Sequence, residues 1–209
     1  MAQLSYTTPK YLNGWTSTTI SVIYNGFSGS RYSLTMNEVS DFNGDGQKGN
    51  SLLYIPTEAE MDNMNFVDYT DQKTGKLIMS AADSRKAFTE WVNNDDYAKN
   101  HRGQYAERNS NLSNWEHEID LHLAQTIYNA QGLGKLEFTF DIINFANMLN
   151  KKWGASYSSA YNLSPLTVVS LSTDENGNRN PGYAFNNAKI NKSDISSRWH
   201  AQVGIRLTF

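Results

Sequence analysis

The sequence predicts an all-β protein, and more closely an antiparallel transmembrane β-barrel segment of about five or six strands, whose long extracellular loops contain short helices. Three observations predict this fold. Several segments alternate between apolar and polar residues, and both short glycine-bearing turns and long polar stretches connect them. No apolar run approaches the roughly 20 residues of a transmembrane helix, so strands would have to cross the membrane.

The alternation is clearest at the end of the chain, from Arg198 to Phe209. Successive side chains of a strand point to opposite faces, and here one face is wholly apolar while the other carries no large apolar residue. The segment is about long enough for a tilted strand to cross a bilayer. We expect the membrane-facing residues of this closing strand to be Trp199, Val203, Ile205, Leu207 and Phe209.

Two further segments alternate in the same way and predict a hairpin. Residues 115–127 and 136–145 each place large apolar side chains on one face and mainly polar, often acidic, side chains on the other. The stretch 129–134 between them holds two glycines and predicts a short turn. An acidic second face suits a water-filled lumen better than a soluble core.

The first part of the chain predicts the other strands. Residues 16–24 alternate, and the stretch 25–29 predicts a second short turn. The strand that follows would carry Tyr32, Leu34 and Met36 on one face, and a weaker strand is predicted before Pro9.

The connections then predict a topology, because bacterial barrels have short periplasmic turns and long extracellular loops. With Phe209 on the periplasmic side, the turns near Gly132 and Gly26 both fall on that side. The large loop 39–114 and the second loop 149–196 both fall outside the cell. These few strands would leave unpaired edges in lipid, so they require partner strands.

The composition narrows the function further. The net charge of −3 provides no basic surface for nucleic acid, and the absence of cysteine excludes disulfides and thiolate metal sites. The first residues lack the basic and apolar regions of a signal peptide, so we expect a fragment or a mature form of an exported protein.

One loop resembles the first half of a calcium-binding loop. Asp41, Asn43 and Asp45 offer oxygen ligands at alternate positions, and Gly46 occupies the sixth position. The twelfth position is Leu52 where a bidentate Glu is required, which excludes a complete EF-hand. The two interpretations left are a looser calcium site, the one cofactor that the sequence suggests, and a turn rich in Asp, Asn and Gly.

The large loop also predicts helical structure. Thr57 and Glu60 have the spacing of a capping box, and residues 82–93 place Phe88, Trp91 and Val92 on one face of a helix. That helix would either pack within the loop or contact a ligand or a surface lipoprotein.

No arrangement of residues predicts catalysis, and we expect no enzymatic activity. His117 and His122 would lie on opposite faces of one strand and could not share a metal. His101 falls in a loop, and His200 falls on the polar face of the closing strand. The alternate carboxylates Glu116, Glu118 and Asp120 are those of a lumen-facing strand surface.

Aromatic residues cluster near the ends of the predicted strands, where barrels carry interfacial belts. The residues assigned to these belts are Trp15, Tyr24, Tyr32, Trp115, Phe145, Trp153 and Phe209.

Four stretches resemble the TonB-dependent receptors of the Oar-like group, relatives of the SusC-like transporters. They are the loop 41–56, the segment 102–109 with the following Trp115 and Asp120, the penultimate strand and its Asn-rich end at 141–154, and the closing strand 197–209. Together they reach over nearly the whole chain, so residues 1–209 would be the C-terminal part of such a receptor.

This resemblance implies the outer membrane as the location, and a plugged barrel of about 22 strands. It implies energy-coupled uptake of a large nutrient, with outer-membrane lipid, the rest of the barrel and the plug as partners. TonB would bind through an N-terminal part of the receptor that is not in this sequence, and a surface lipoprotein is a further candidate partner.

Two other classes remain open from the residues alone. One is a soluble extracellular β-rich module that binds carbohydrate or calcium or serves in adhesion. The other is an enzyme that would use Glu118 or Asp120.

Overall fold

The computed structural model describes residues 1–38, 41, 44–71, 73–128, 132, 134–157 and 161–209. The protein is mostly β, with 46% of residues in strands and 15% in helices, which confirms the all-β prediction at this level. Within the described ranges the sheets are open and do not close into a barrel. No helix there has the length and apolar character needed to cross a membrane.

The chain divides into two compact units. Unit 1 comprises residues 1–29, 114–158 and 191–209, and unit 2 comprises residues 30–113 and 159–190. Elements are numbered in chain order through both. Unit 1 contains β1 (Ala2–Thr7), β2 (Thr16–Phe27), β9 (Glu116–Ile127), β10 (Lys135–Ile143), α3 (Phe145–Leu149) and β13 (His200–Thr208).

Unit 2 holds the remaining elements. Its strands are β3 (Arg31–Glu38), β4 (Tyr54–Ile55), β5 (Tyr69–Thr70), β6 (Leu77–Met79), β7 (Gln104–Tyr105), β8 (Asn111–Leu112), β11 (Asn162–Thr173) and β12 (Arg179–Phe185). Its helices are α1 (Glu58–Asn63), α2 (Ala81–Asn94) and a 3-10 turn at Ala98–Asn100.

Unit 1 is built on one antiparallel sheet in the order β1-β2-β9-β10-β13. Its two short connections, 8–15 and 128–134, leave the sheet at one end, which we call the turn end. Its two long connections, 28–115 and 144–199, leave at the opposite end, the loop end. Short and long connections therefore leave this sheet at opposite ends, and the turn predicted near Gly132 lies at the turn end.

One predicted turn is wrong. Residues 25–29 do not join two paired strands, because β2 continues to Phe27 and pairs with β9 as far as Glu116. Gly26 therefore lies at the loop end, and the short turn that precedes β2 is the stretch 8–15 after the weak strand predicted before Pro9. Gly26 serves another purpose: a Cβ there would lie 2.5 Å from the Tyr24 hydroxyl, so glycine makes room for that ring.

Unit 2 has a sheet and a core of its own. The sheet order is β12-β11-β3-β8, with β11 parallel to β3 and the other pairs antiparallel. Tyr32, Leu34 and Met36 of β3 are buried in this core, so the strand predicted to follow residues 25–29 belongs to unit 2 and not to the sheet of unit 1. Helix α2 buries Phe88 and Val92 completely against the same core.

Candidate functional site

The most unusual surface of the protein is the apolar face of the unit 1 sheet. The strand register aligns one row of side chains directly across all five strands: Tyr6, Ile20, Leu123, Phe140 and Val203. Every second residue of each strand points to this face. In the neighbouring rows most of these residues are also apolar. The alternation of the separate strands therefore combines into one continuous apolar surface.

Most side chains of this apolar face are exposed or half-buried, and Ile142, which is 9% exposed, is the buried one near the loop end. Val203 is 77% exposed, Ile205 69% and Leu4 76%. Soluble monomers rarely expose contiguous apolar surface of this kind, and such surfaces mark contact with a membrane or with another protein. All five membrane-facing residues predicted for the closing strand are exposed, and Trp199 and Phe209 lie at its two ends.

The opposite face of the same sheet is polar. One row runs across the five strands as Ser5, Ser21, His122, Asp141 and Gln202. The Ser5 hydroxyl donates to the Ser21 hydroxyl at 2.7 Å, and the His122 Nδ1 is hydrogen-bonded to the Asp141 carboxylate. Polar groups on this face therefore have partners within the sheet.

Charge is also compensated on this face near the turn end. The Glu137 carboxylate lies 3.0 Å from the Lys135 Nζ and 3.7 Å from an Arg206 guanidinium nitrogen, and it accepts a hydrogen bond from the Thr126 hydroxyl at 3.3 Å. The arrangement joins β9, β10 and β13 by side-chain contacts in addition to the backbone ladder.

Gln125 is a polar residue on the apolar face, and both ends of its side-chain amide are hydrogen-bonded. Its Oε1 accepts from the Thr18 hydroxyl at 2.7 Å and from the Tyr11 hydroxyl at 3.1 Å. Its Nε2 donates to the backbone carbonyl of Ser17 at 3.1 Å and to the Thr16 hydroxyl. Period-two alternation gives no signal for such a network, so the hydrogen bonds of Gln125 could not be predicted from the sequence.

At the loop end, Asn144 organises the exit from β10. This buried residue has a left-handed backbone with φ of 54°, and its N–H donates to the Asp120 carboxylate at 2.8 Å. Its side-chain amide donates to the carbonyls of Gly154 at 2.8 Å and Ser197 at 2.9 Å. The Asn-rich stretch after β10 therefore has a structural role in unit 1.

Six of the seven aromatic residues assigned to the belts lie near the ends of the unit 1 sheet. Trp15 and Phe209 lie at the turn end, and Trp115 lies just before β9 at the loop end, where Trp153 also lines a cavity with it. Tyr24 hydrogen-bonds the His117 Nδ1 at 2.7 Å at that same end. Phe145 is half-buried in α3 after β10.

Tyr32 is the exception to the belt prediction. It is 8% exposed and belongs to the core of unit 2. It is therefore no part of an interfacial belt.

The titratable residues of unit 1 are distributed as the alternation predicted. His117 lies on the apolar face at its loop end and His122 on the polar face, so the two cannot share a metal. Glu116, Glu118 and Asp120 share the polar face of β9, where the Glu116 carboxylate accepts from the Tyr157 N–H at 2.9 Å.

The candidate calcium loop is organised by its own hydrogen bonds. The Asp41 carboxylate accepts from the N–H groups of Gly44 at 2.7 Å and Gly46 at 2.9 Å, while Asp45 accepts from the Gln47 N–H at 2.8 Å. Asn43, the third proposed ligand, lies outside the described residues. Across the described part of the chain, no group of three or more His, Cys, Asp or Glu side chains is placed to hold a metal.

The helical predictions for unit 2 are confirmed. Thr57 and Glu60 form a capping box at the start of α1, and α2 extends the predicted 82–93 helix by one residue at each end. The Phe88 and Trp91 rings stack at 5.9 Å, and Phe88 and Val92 are fully buried. The face of α2 that the sequence singled out is thus occupied by packing within unit 2.

Comparisons with protein-family models, with curated proteins and with solved structures find no match to this chain.

Proposed function

We propose that this chain forms the C-terminal wall segment of a TonB-dependent outer-membrane receptor that takes up a large nutrient. Unit 1 would cross the outer membrane, and unit 2 would stand on the cell surface. The observation that carries the proposal is the sheet of unit 1, which is apolar and exposed on one face and polar with internal partners on the other. Lipid-facing and lumen-facing residues alternate in this way in membrane barrels.

The dimensions of the sheet support the proposal. From Trp199 to Phe209 the closing strand advances ten residues, or about 34 Å at about 3.4 Å per residue. At a strand tilt of about 40° this corresponds to about 26 Å along the membrane normal, close to the apolar band of about 25 Å in such barrels. The aromatic residues at both ends of the sheet would then lie at the two interfaces.

The sheet edges support a barrel over an isolated sheet. Among the described residues, no strand pairs with the outer edge of β1 or of β13. Unpaired backbone groups in lipid cost several kcal/mol each, so a sheet in a bilayer must close on itself. We therefore propose that further strands of the receptor, together with its plug, complete the wall.

The connections suggest an orientation. Short connections face the periplasm in bacterial barrels, which would place the turn end there and the loop end at the cell surface. Both segments of unit 2 are inserted into connections that leave the sheet at the loop end. Unit 2 would then present surface to substrate or to a surface lipoprotein, and the chain would itself catalyse no reaction.

An epitope inserted in the turn after Asp174 tests this location. The turn is exposed and held by Asp174, which accepts N–H groups from Asn176 and Asn178. The proposal predicts that intact cells bind the antibody and that detergent is needed to extract the protein. An epitope hidden until cells are lysed, on a protein found in the soluble fraction, would contradict it.

A further inference from the structure

Unit 2 contains a small cavity that none of the roles above uses. It measures about 230 Å³ and is lined by three tyrosines, one carboxylate and apolar side chains. We call its polar lining residues, Tyr54, Tyr105, Tyr183 and Glu60, the polar rim, and Met36 and Met64 are among the apolar residues that line it.

The tyrosines are held by the backbone of unit 2. Tyr54 and Tyr105 are direct partners in the β4–β7 pair, and their rings meet edge to face with centroids 5.1 Å apart and planes at 63°. The backbone of Tyr183 is bonded on both sides, donating to Asn65 at 2.8 Å and accepting from Val67 at 3.0 Å. The backbone therefore fixes the positions from which the three side chains extend, and the Tyr105 side chain is 66% exposed.

The carboxylate at the rim is ionised and fixed in place. Glu60 accepts hydrogen bonds at 2.9 Å from the Thr57 N–H, the Thr57 hydroxyl and the Tyr54 hydroxyl. The Thr57 backbone bond, followed by the two hydroxyl bonds, lowers the pKa of Glu60. The same contact raises the pKa of Tyr54, and burial raises the pKa of Tyr183, so both rings stay neutral phenols.

No Lys or Arg is among the described residues that line the cavity. The nearby Arg85 donates to the backbone carbonyls of Met61 and Met64 and lies over the Phe66 ring at 5.1 Å. The negative charge of Glu60 is therefore not neutralised by a cationic side chain at the rim.

We propose that this cavity binds a small organic cation, a methylated ammonium group, between the rings of Tyr54, Tyr105 and Tyr183 and beside Glu60. Aromatic faces attract cations through their quadrupoles, and cages of aromatic rings recognise quaternary ammonium groups. A sugar ring would need one flat, open aromatic face, whereas these two paired rings meet at a steep angle. The site belongs to unit 2 alone and does not depend on unit 1 lying in a bilayer.

The test is calorimetric titration of the full chain with choline and with its uncharged isostere, 3,3-dimethyl-1-butanol. The two probes have the same shape, so their difference isolates the charge. We expect a Kd for choline on the order of 1 mM and binding of the isostere that is roughly tenfold weaker or worse. Equal affinity for the two probes, tighter binding of a neutral methyl glycoside, or no choline binding overturns the proposal.

Matched variants assign the effect to the cavity. Glu60→Gln keeps the capping box, because Gln also serves at that position. It should weaken choline binding severalfold. The control Glu58→Gln, on the same helix, should leave choline binding unchanged. Tyr105→Phe should retain binding and Tyr105→Leu should lose it. Tyr161→Leu, at an exposed tyrosine elsewhere in unit 2, should behave like the parent chain. Unchanged affinity in both Glu60→Gln and Tyr105→Leu would place the cation elsewhere and contradict the site.

Discussion

Replacing Val203 by arginine distinguishes between two environments for the apolar face, lipid and water. Val203 is 77% exposed and lies near the middle of the closing strand, with Phe140 as its partner on the apolar face. At the surface of a soluble protein, such a change alters the free energy of unfolding by no more than about 0.5 kcal/mol.

In lipid the effect is much larger. Removing the exposed part of the valine side chain from hydrocarbon forfeits about 1 to 2 kcal/mol, and an arginine at the bilayer midplane costs about 2 to 4 kcal/mol. We therefore expect Val203→Arg to lower the free energy of unfolding in bilayers by about 3 to 6 kcal/mol.

Gln202→Arg is the matched control, because it adds the same residue one position earlier on the polar face, opposite Asp141. The assay is denaturant unfolding of the protein in lipid bilayers. We expect a large loss for Val203→Arg and a change within about 0.5 kcal/mol for Gln202→Arg. Equal, small changes for the two variants would show that the apolar face does not contact lipid.

Three further predictions concern local structure. Gly134→Ala should disturb the turn end, because a Cβ at its φ of +96° would lie 2.2 Å from the Thr208 carbonyl oxygen. Amide hydrogen exchange at the end of β13 should become faster, and unchanged exchange would contradict this turn geometry. Asn144→Ala should destabilise unit 1 by about 2 kcal/mol, because it leaves the buried Ser197 carbonyl and the part-buried Gly154 carbonyl without a donor. Denaturant unfolding of the variant measures this loss, and a loss below about 0.5 kcal/mol would show that the exit from β10 does not depend on these hydrogen bonds. Asp41→Ala should loosen the loop 41–46 equally with and without a calcium chelator, because the Asp41 carboxylate already accepts hydrogen bonds from backbone N–H groups. An effect of the chelator that is seen only in the parent chain would instead favour a calcium site.

The strands at the end of the chain were predictable because their pattern is local. The alternation in 115–127, 136–145 and 198–209 matches β9, β10 and β13 to within about two residues at each end. The capping box and the helix at 82–93 were equally visible, since both depend on spacing within a few residues.

The wrong predictions arise where contacts between residues distant in sequence determine the structure. The Asn-Gly pair at 25–26 favours a turn, but pairing of β2 with β9 extends the strand through it. Tyr32 alternates like a lipid-facing residue, yet it is buried in the core of unit 2 and pairs with Asn111 of β8. Alternation indicates that a strand has an apolar face, but it does not indicate what covers that face.

The cation cavity shows the same limit. Tyr54, Tyr105 and Tyr183 come together only because β4 pairs with β7 and β12 lies beside residues 65–67. No spacing within the sequence relates three tyrosines so far apart.

The central claim, that the unit 1 sheet crosses a membrane with one face in lipid, can be measured residue by residue on the closing strand. Because the chain contains no cysteine, single cysteines can be placed at each position from 199 to 209 and spin-labelled in the membranes of cells that make the protein. Collision with oxygen reports lipid, and collision with a water-soluble nickel complex reports an aqueous lumen. We expect the two signals to alternate with a period of two, with oxygen favoured at Val203, Ile205 and Leu207. High nickel accessibility at both sets of positions would contradict it.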